Sequence, residues 1–154
     1  PGVIIYLMDH LRYGPREIER LVNQESGLKG VSGLSSEMQM LLSAQHANPQ
    51  AALAIDMFCH SIQQQIGAFA AVLGGLDRLI FTAGIGERAA TVRRDICRGL
   101  EFLGIDWNES SNAIGDRRIS TAQSRVAVEI VATNEEQVMA RHIAALIATG
   151  IGPT

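Results

Sequence analysis

The residues best suited to chemistry form a short glycine turn at positions 84–88, with the sequence GIGER. The turn follows an apolar run that contains the β-branched Ile80 and Thr82, a composition typical of a buried strand. Glycines adopt backbone angles that side chains forbid, so the main chain can turn sharply and lie close against a flat or phosphorylated ligand. The pattern therefore predicts a nucleotide-binding turn between a strand and a helix. The alternative is that the glycines only allow the chain to reverse direction between a strand and a helix, with no role in ligand binding.

Two helical patterns flank this turn and are predicted to support it. Residues 89–103 place apolar side chains at helical spacing. The longest pattern begins at Asn48-Pro49 and runs for about 25 residues. Its apolar stripe, which we expect to face the core, consists of Ile55, Phe58, Ile62, Ile66, Phe69 and Leu73.

The remaining segments predict an α/β fold with a small, partly parallel sheet, because helical patterns alternate with two strand patterns. The second strand is expected at residues 125–131, where apolar and polar residues alternate. The other predicted elements are helices at 3–11, 15–24 (with Ile18, Leu21 and Val22 inward) and 135–148, a glycine-rich loop at 27–33, a helix capped by Ser36 with Gln39 completing the cap, an edge segment at 105–107, and a loop or short helix at 109–118.

Charge and composition exclude several classes of partner. The 154 residues carry a net charge of −3. Basic residues cluster no further than the pairs Arg93-Arg94 and Arg117-Arg118, so we expect neither nucleic acid nor an anionic membrane surface as a partner. No membrane span or signal peptide is expected.

The two cysteines, Cys59 and Cys97, both fall in helical patterns. We interpret them as reduced, buried thiols of a cytoplasmic protein rather than as a disulfide.

Three segments, at residues 76–87, 99–105 and 132–136, closely resemble the acetate and propionate kinase family in order and spacing. Residues 1–7, 26–28 and 32–36 fit the same family upstream. The resemblance covers nearly all of this chain and well under half of a whole family member. It implies the C-terminal, nucleotide-side lobe, residues 1–154, of a protein whose N-terminal lobe is absent here.

The resemblance also implies a fold and an activity. The fold would be a partial, helix-rich ribonuclease H-like lobe of the acetate and sugar kinase, Hsc70 and actin type. Family members transfer the γ-phosphoryl group of ATP to acetate or another short carboxylic acid, with Mg²⁺, and give an acyl phosphate and ADP. They pair through their C-terminal lobes, which implies a homodimer.

The resemblance assigns nucleotide contacts to two short segments and a metal contact to a third. Residues of the glycine turn match the family's adenosine-contacting turn, where asparagine is commoner than Arg88. A second nucleotide contact more often has Asp, Met and Arg in the family. The matching residues here are Gly84, Ile85, Gly86, Glu87 and Arg88 in the turn, and Glu37, Met38 and Gln39 in the second contact.

Glu135 matches the family's magnesium-associated glutamate. If Thr133 caps the last helix, Glu136 can complete the cap and leave Glu135 free to hold Mg²⁺ directly or through water. The alternative is that Glu135 only complements the positive end of the helix, worth about 0.3–1 kcal/mol.

The chain has no segment that resembles the family's substrate-binding arginine, its catalytic aspartate or its phosphate-gripping glycine loop. Phosphoryl transfer is catalysed mainly by positioning and by cations around the moving group. We therefore expect no kinase activity from this chain alone, and weak nucleotide binding at most.

Two alternatives come from other functional classes. Residues 84–89 satisfy G-x-G-x-x-A, and Asp106 follows where a dinucleotide-binding oxidoreductase places its ribose-binding acid. The helical half of the chain before this strand argues against that fold. The second alternative is a non-catalytic dimerisation lobe, which an exposed apolar face on the long helix together with no response to nucleotide would favour.

Other conspicuous residues are interpreted structurally. The histidines have no metal-ligand spacing, Trp107 is expected to pack at an edge, three methionines are expected to fill the core, and Arg93-Arg94 is expected on a solvated face, with phosphate binding as the alternative. The histidines are His10, His46, His60 and His142, and the methionines are Met38, Met40 and Met57.

Overall fold

Nine α-helices and two strands make up the described part of the chain. The computed structural model describes residues 2–133 and 135–148, apart from the side chains of 135–138, 142 and 148. The elements are α1 (Gly2–Asp9), α2 (Pro15–Arg20), α3 (Gly27–Ser32), α4 (Met38–Ala44), α5 (Pro49–Leu73), β1 (Arg78–Thr82), α6 (Ala83–Arg88), α7 (Ala90–Arg98), α8 (Glu109–Ile114), β2 (Ala127–Val131) and α9 (Glu135–Ala148). A π-helical turn, Leu21–Glu25, follows α2, and a 3₁₀ turn, Glu101–Leu103, follows α7.

The strands β1 and β2 pair in parallel, as the sequence predicts. Phe81 lies opposite Ile130, and Thr82, the last residue of β1, lies opposite Val131, the last residue of β2. The two carboxyl ends therefore meet at one edge of the sheet. Ligand sites of α/β proteins commonly form at this edge.

The predicted long helix is confirmed as α5, with 25 residues. Asn48 caps it by accepting hydrogen bonds from the amides of Gln50 and Ala51, and Pro49 fits the first helical position. Gly74 ends it in the left-handed conformation, at φ 76°.

The apolar stripe of α5 faces the core from Ile55 to Ile66 but not at Phe69 and Leu73. Ile55 is 2% exposed, whereas Phe69 and Leu73 are 63% and 72% exposed. The prediction for these last two residues is wrong. Helical spacing defines a common face, but α5 packs on α3, α4 and α7, and no described residue covers Phe69 and Leu73 near its C-terminal end.

The core lies between α4, α5, α7 and the inner faces of the two strands. From α7 it takes Val92 and Ile96, which confirms the helical pattern predicted there, although α7 itself spans only Ala90–Arg98. Its completely or almost completely buried members are Leu41, Ala51, Ala54, Ile55, Val92, Ile96, Cys97, Leu100, Ile119, Val126 and Val128. Of the methionines expected in the core, Met38 is buried, but Met40 and Met57 are about half exposed, at 49% and 52%.

The predicted glycine-rich loop is in fact helical. Gly27 and Gly33 have positive φ angles, at 61° and 64°, and they stand at the start and the C-cap of α3. A side chain at Gly30 would place its Cβ 2.8 Å from the carbonyl oxygen of Glu25. These glycines therefore mark helix ends and a close backbone approach, which sequence punctuation alone does not distinguish from a loop.

Helix boundaries differ from the sequence prediction elsewhere. The helix predicted at 15–24 is α2 followed by the π-helical turn, where the Ser26 hydroxyl donates to the Val22 carbonyl at 2.6 Å. Val22, expected to point inward, is 49% exposed. The first helix ends at Asp9 rather than at 11.

The predictions for segment 109–118, for Trp107 and for the two cysteines are confirmed. Segment 109–118 contains the short helix α8, and Trp107 forms an isolated bridge with Ser120 while its side chain packs partly buried against the core. Cys59 and Cys97 are free and buried, and burial raises the pKa of their thiols to about 11 and about 12. None of the described helices is long and apolar enough to cross a membrane.

Two isoleucines near β2 offer a test of this core. Ile119 is 0% exposed and Ile114 is 77% exposed. We expect Ile119→Ala to lower the free energy of unfolding by about 2–5 kcal/mol, because it leaves a cavity. Ile114→Ala, the same substitution in an exposed position, should change it by less than about 0.5 kcal/mol. Urea denaturation followed by circular dichroism measures both, and equal losses would contradict the placement of the core.

Candidate functional site

A cleft of about 560 Å³ lies between the start of α4 and the helix α6. It brings together two segments that are remote in sequence. The residues that line it are Ser36, Glu37, Met38, Gln39 and Leu42 from one side, and Gly84, Ile85, Arg88 and Ala89 from the other. Six of the eight predicted nucleotide-binding residues therefore share one cleft. The two that do not line it are Gly86 and Glu87.

The α4 side of the cleft begins at Glu37, which is the N-cap residue of α4. The predicted cap at Ser36 is wrong. Instead, the Ser35 hydroxyl accepts a hydrogen bond from the Glu37 amide at 3.0 Å, so a local turn at Ser35 fixes how the chain enters the helix. Met38 is 5% exposed and packs in the core, while the side chains of Glu37 and Gln39 are exposed.

The α6 side of the cleft is a helix of six residues, not an open glycine turn. The left-handed residue is Ala83, at φ 58°, and neither Gly84 nor Gly86 has a positive φ. The prediction that these glycines supply unusual backbone angles is therefore wrong. Gly86 suits its place for a different reason: a Cβ there would lie 3.2 Å from the carbonyl carbon of Phe81, so a side chain would crowd the close approach of α6 to β1.

A buried arginine holds the C-terminal end of α6. Arg93 is 2% exposed, and its Nη1 donates to the carbonyl oxygens of Gly86 at 2.9 Å and Glu87 at 2.8 Å. Its Nε and Nη2 donate to the Asn112 side chain at 2.8 Å and to the Asn112 carbonyl at 2.7 Å. Asn112 in turn donates to the Ala90 carbonyl. Burial lowers the pKa of the guanidinium from its ordinary value.

The sequence interpretation of Arg93 as part of a solvated face is wrong. Arg93 precedes Ile96, Cys97 and Leu100 at helical spacings of three, four and seven, so it lies on the buried face of α7. That spacing was a usable signal. Its neighbour Arg94 lies on the half-buried flank and pairs with Asp95 at 2.7 Å.

A second network joins α6 to the chain that leads into α9. The Thr133 hydroxyl lies 2.6 Å from the Thr82 hydroxyl and accepts a hydrogen bond from the Ala83 amide at 3.1 Å. The Thr133 amide donates to the Glu87 carboxylate at 2.9 Å. The Thr133 amide lowers the pKa of the Glu87 carboxyl most, and the Ala83 amide, the Thr133 hydroxyl and the positive charge of Arg88 lower it further, against a smaller opposing effect of desolvation. Glu87 therefore does not line the cleft, but its hydrogen bond to Thr133 connects α6 to the chain before α9.

The predicted metal residue is only partly placed. The backbone of Glu135 begins α9, but its side chain lies outside the described residues, as do Asn134 and the Glu136 side chain of the predicted cap. Among the described residues, no group of three or more His, Cys, Asp or Glu side chains is arranged to hold a metal ion.

The remaining candidates are structural where they are described. The Asp106 carboxylate, the acid of the dinucleotide-binding alternative, accepts a hydrogen bond from the Thr121 hydroxyl at 2.5 Å. His10 stacks on Tyr6 with 4.5 Å between ring centroids. The side chain of His142 lies outside the described residues.

Comparisons with known proteins agree on one family. A family model described as the Acetokinase family matches residues 1–141. The acetate kinase of Thermosynechococcus vestitus is 46% identical over 98% of this chain, and that of Moorella thermoacetica is 41% identical over 96%. The chain spans 37% and 38% of the length of these two relatives.

Solved structures give the same result. A crystal structure of Porphyromonas gingivalis acetate kinase superposes with a TM-score of 0.85 at 36% identity, over 96% of this chain and 38% of that chain. A propionate kinase from Francisella tularensis superposes with a TM-score of 0.84 at 32% identity, over 92% of this chain and 36% of that chain. These comparisons lend no support to the dinucleotide-binding oxidoreductase alternative.

Replacement of Arg93 tests whether it holds α6. Arg93→Lys keeps the charge but loses the planar fork, so it leaves several buried acceptors unpaired. We expect a loss of about 2 kcal/mol or more in the free energy of unfolding. Arg94→Lys, the same change one residue later, should cost less than about 0.5 kcal/mol because its ion pair is partly exposed. Urea denaturation compares them, and similar losses would contradict the role of Arg93.

Acid titration tests the Glu87–Thr133 contact. Since hydrogen bonds lower the pKa of Glu87 below its ordinary value of 4.5, the unfolded chain binds more protons there in acid. The contribution to stability is complete above that ordinary value and is lost as pH falls through the lowered pKa.

Glu87→Gln keeps an oxygen acceptor for the Thr133 amide but removes this titration. We expect its free energy of unfolding to fall less steeply below pH 4.5 than that of the unchanged chain. Glu101→Gln, at an exposed side chain, serves as the control and should retain the full acid dependence. Parallel curves for the unchanged chain and Glu87→Gln would show that the contact contributes nothing.

Proposed function

Because the chain belongs to the acetokinase family, we propose that it forms the nucleotide-binding part of a kinase that phosphorylates acetate or another short carboxylic acid. The whole enzyme would transfer the γ-phosphoryl group of ATP to the carboxylate and release ADP and an acyl phosphate. The relatives include a propionate kinase as well as acetate kinases. Propionate is therefore a second candidate acceptor.

The observation that carries this proposal is the cleft between α4 and α6. Two segments that were assigned separately to nucleotide contact line a single concavity of about 560 Å³. Ligand sites commonly occupy about 300–1,000 Å³ and combine apolar walls with a few polar groups. Leu42 and Ile85 supply apolar surface here, and Glu37 and Arg88 supply charge.

The position of the cleft supports assignment to the nucleotide-side lobe of a ribonuclease H-like fold. Helix α6 follows β1 without a break, and β1 pairs in parallel with β2. The cleft therefore borders the carboxyl edge of the sheet, where α/β proteins bind nucleotides. Residues 1–154 would form this single lobe.

A magnesium role for Glu135 fits the same edge of the sheet. Thr133, two positions earlier, is tied to Ala83 and Glu87, so α9 begins beside α6. A glutamate carboxylate is an oxygen donor of the kind Mg²⁺ prefers. When bound, the ion would neutralise the phosphates of the nucleotide, and the part of Glu135 would be to hold it or one of its waters.

We expect the isolated chain to be inactive because it corresponds to only part of the length of its relatives. The chain covers about 37% of the length of its acetate kinase relatives. In-line phosphoryl transfer depends on several cations and donors placed around the moving group. Within the cleft, Arg88 is the one cationic side chain among the lining residues. Such a site can bind a nucleotide without activating its γ-phosphoryl group.

Exposed apolar surface supports a homodimer. Helix α1 has no buried residue, and five of its apolar side chains are between 41% and 72% exposed. They are Val3, Ile4, Ile5, Tyr6 and Met8. The far end of α5 adds Phe69, Val72 and Leu73. Apolar patches of this kind typically mark contact surfaces. The buried, free thiols support a cytoplasmic location.

Binding and activity assays on the purified chain test the proposal. We expect weak, saturable ADP binding by equilibrium dialysis, with Kd near the millimolar range, and no acyl phosphate trapped by hydroxylamine from ATP and acetate. Ala89→Phe fills the cleft and should abolish binding, whereas Ala68→Phe, at an exposed position on α5, should not. Binding unaffected by Ala89→Phe would overturn the site. Acyl phosphate formed by this chain alone would overturn the proposed inactivity.

A further inference from the structure

Three polar side chains in the cleft have hydrogen-bonding groups that no described side chain or backbone atom engages, although the charge of Arg88 also acts on the neighbouring Glu87 carboxylate. The exposed groups are the Glu37 carboxylate and Gln39 amide beside α4, and the Arg88 guanidinium at the end of α6. None of them forms a side-chain hydrogen bond or an ion pair with another described residue. Glu37 and Arg88 carry opposite charges, line the same cleft and do not pair with each other. A ligand that meets both must offer acceptors to one and donors to the other.

Apolar surface in the same cleft suits a flat ring. Leu42, Ile85 and Ala89 are each partly buried and line the cleft together with Glu37 and Arg88. Stacking of a heterocycle on such surface removes it from water and leaves the ring edges free for the charged groups. The cleft therefore discriminates ligands by the donors and acceptors on their edges.

The two common purines differ on those edges. Guanine presents the adjacent acceptors O6 and N7, which a guanidinium binds in a bidentate manner, and its N1–H and N2–H₂ donors match a carboxylate. Adenine presents N7 beside the N6–H₂ donor, so a guanidinium at that edge meets one acceptor and one competing donor. Guanine thus satisfies Arg88 and Glu37 twice each, and adenine at most once each.

We propose that Arg88 and Glu37 read the base of the bound nucleotide, and that this chain binds guanine nucleotides more tightly than adenine nucleotides. The inference rests on the proposed function, since it concerns the base at the same site. Arg88 donates to O6 and N7, and Glu37 accepts from N1–H and N2–H₂. The phosphoryl chemistry is unchanged by the choice of base.

Competition between nucleotides of equal charge tests this specificity. We expect GDP to bind about tenfold more tightly than ADP, the effect of one additional bidentate contact. IDP, which lacks the N2 amino group, should fall between them. 7-Deaza-GDP, which lacks N7, should lose most of the advantage. Fluorescent GDP, displaced by each unlabelled nucleotide, gives the four dissociation constants.

Matched substitutions assign the effect to the two residues. Arg88→Asn should bring the GDP and ADP affinities within about twofold of each other, and Glu37→Gln should equalise GDP and IDP. Arg98→Asn and Glu101→Gln make the same changes at exposed positions that do not line the cleft, and they should preserve the preference. Unchanged circular dichroism and melting temperature show that the variants fold.

The outcomes separate the two proposals. If ADP binds in the cleft as tightly as GDP, and Arg88→Asn weakens both equally, the base-reading inference is overturned while the nucleotide site stands, because Arg88 then contacts the ribose or phosphates. If neither nucleotide binds at millimolar concentration, both proposals are overturned. A GDP preference that Arg88→Asn removes and Arg98→Asn retains supports the inference.

Discussion

The buried guanidinium of Arg93 is the interaction on which the candidate site depends. The last carbonyl groups of any α-helix lack partners within the helix, and α6 is so short that these groups make up most of it. Arg93 satisfies two of them and is itself anchored through Asn112. One side chain therefore fixes α6 against α7 and α8. Displacing α6 from α7 would leave a buried cation and its carbonyl acceptors without partners, which costs free energy.

The carboxyl edge of the sheet imposes a second constraint. A left-handed alanine costs about 1–2 kcal/mol relative to ordinary backbone angles, and Ala83 adopts that conformation where β1 turns directly into α6. The Ala83 amide donates a hydrogen bond to the hydroxyl of Thr133. Thr133 lies close to Ala83 because β2 pairs in parallel with β1 and both strands end at the same edge of the sheet. Parallel pairing thus does more than build a sheet: it supplies the contact that maintains the bend at the site.

Long, regular patterns could be predicted from the sequence, whereas local exceptions could not. The helix α5, its Asn48-Pro49 start and the second strand have many residues that agree with one period, so their type and position follow from the pattern. The glycines near α3 and α6 do not form a pattern. Gly86 relieves a close contact with Phe81, and Gly33 ends a helix in the left-handed conformation. The residue type alone does not distinguish these two roles.

The site residues show the same division. The resemblance assigned Glu37 and Arg88 to one ligand, and the fold does bring them into one cleft. For Arg93, charge predicts a solvated position whereas helical spacing predicts the buried face of α7. The spacing is the better guide, because a guanidinium can be buried when its donors find acceptors. The exposure of Phe69 and Leu73 could not be predicted from the sequence, because amphipathic spacing defines a helix face without identifying which elements cover it.

Recognition of the base and activation of the phosphoryl group are separable tasks, and the proposed function assigns the first to this chain. Base recognition needs apolar surface and a few directed hydrogen-bonding groups, and Leu42, Ile85, Glu37 and Arg88 line the cleft proposed for it. Activation of a γ-phosphoryl group needs several positive charges converging on a small volume. In this cleft the positive charge of Arg88 is opposed by the negative charge of Glu37, so the lining residues do not concentrate positive charge. The distribution of charge in the cleft therefore favours specificity over catalysis, in keeping with a chain that spans 37% of its acetate kinase relatives.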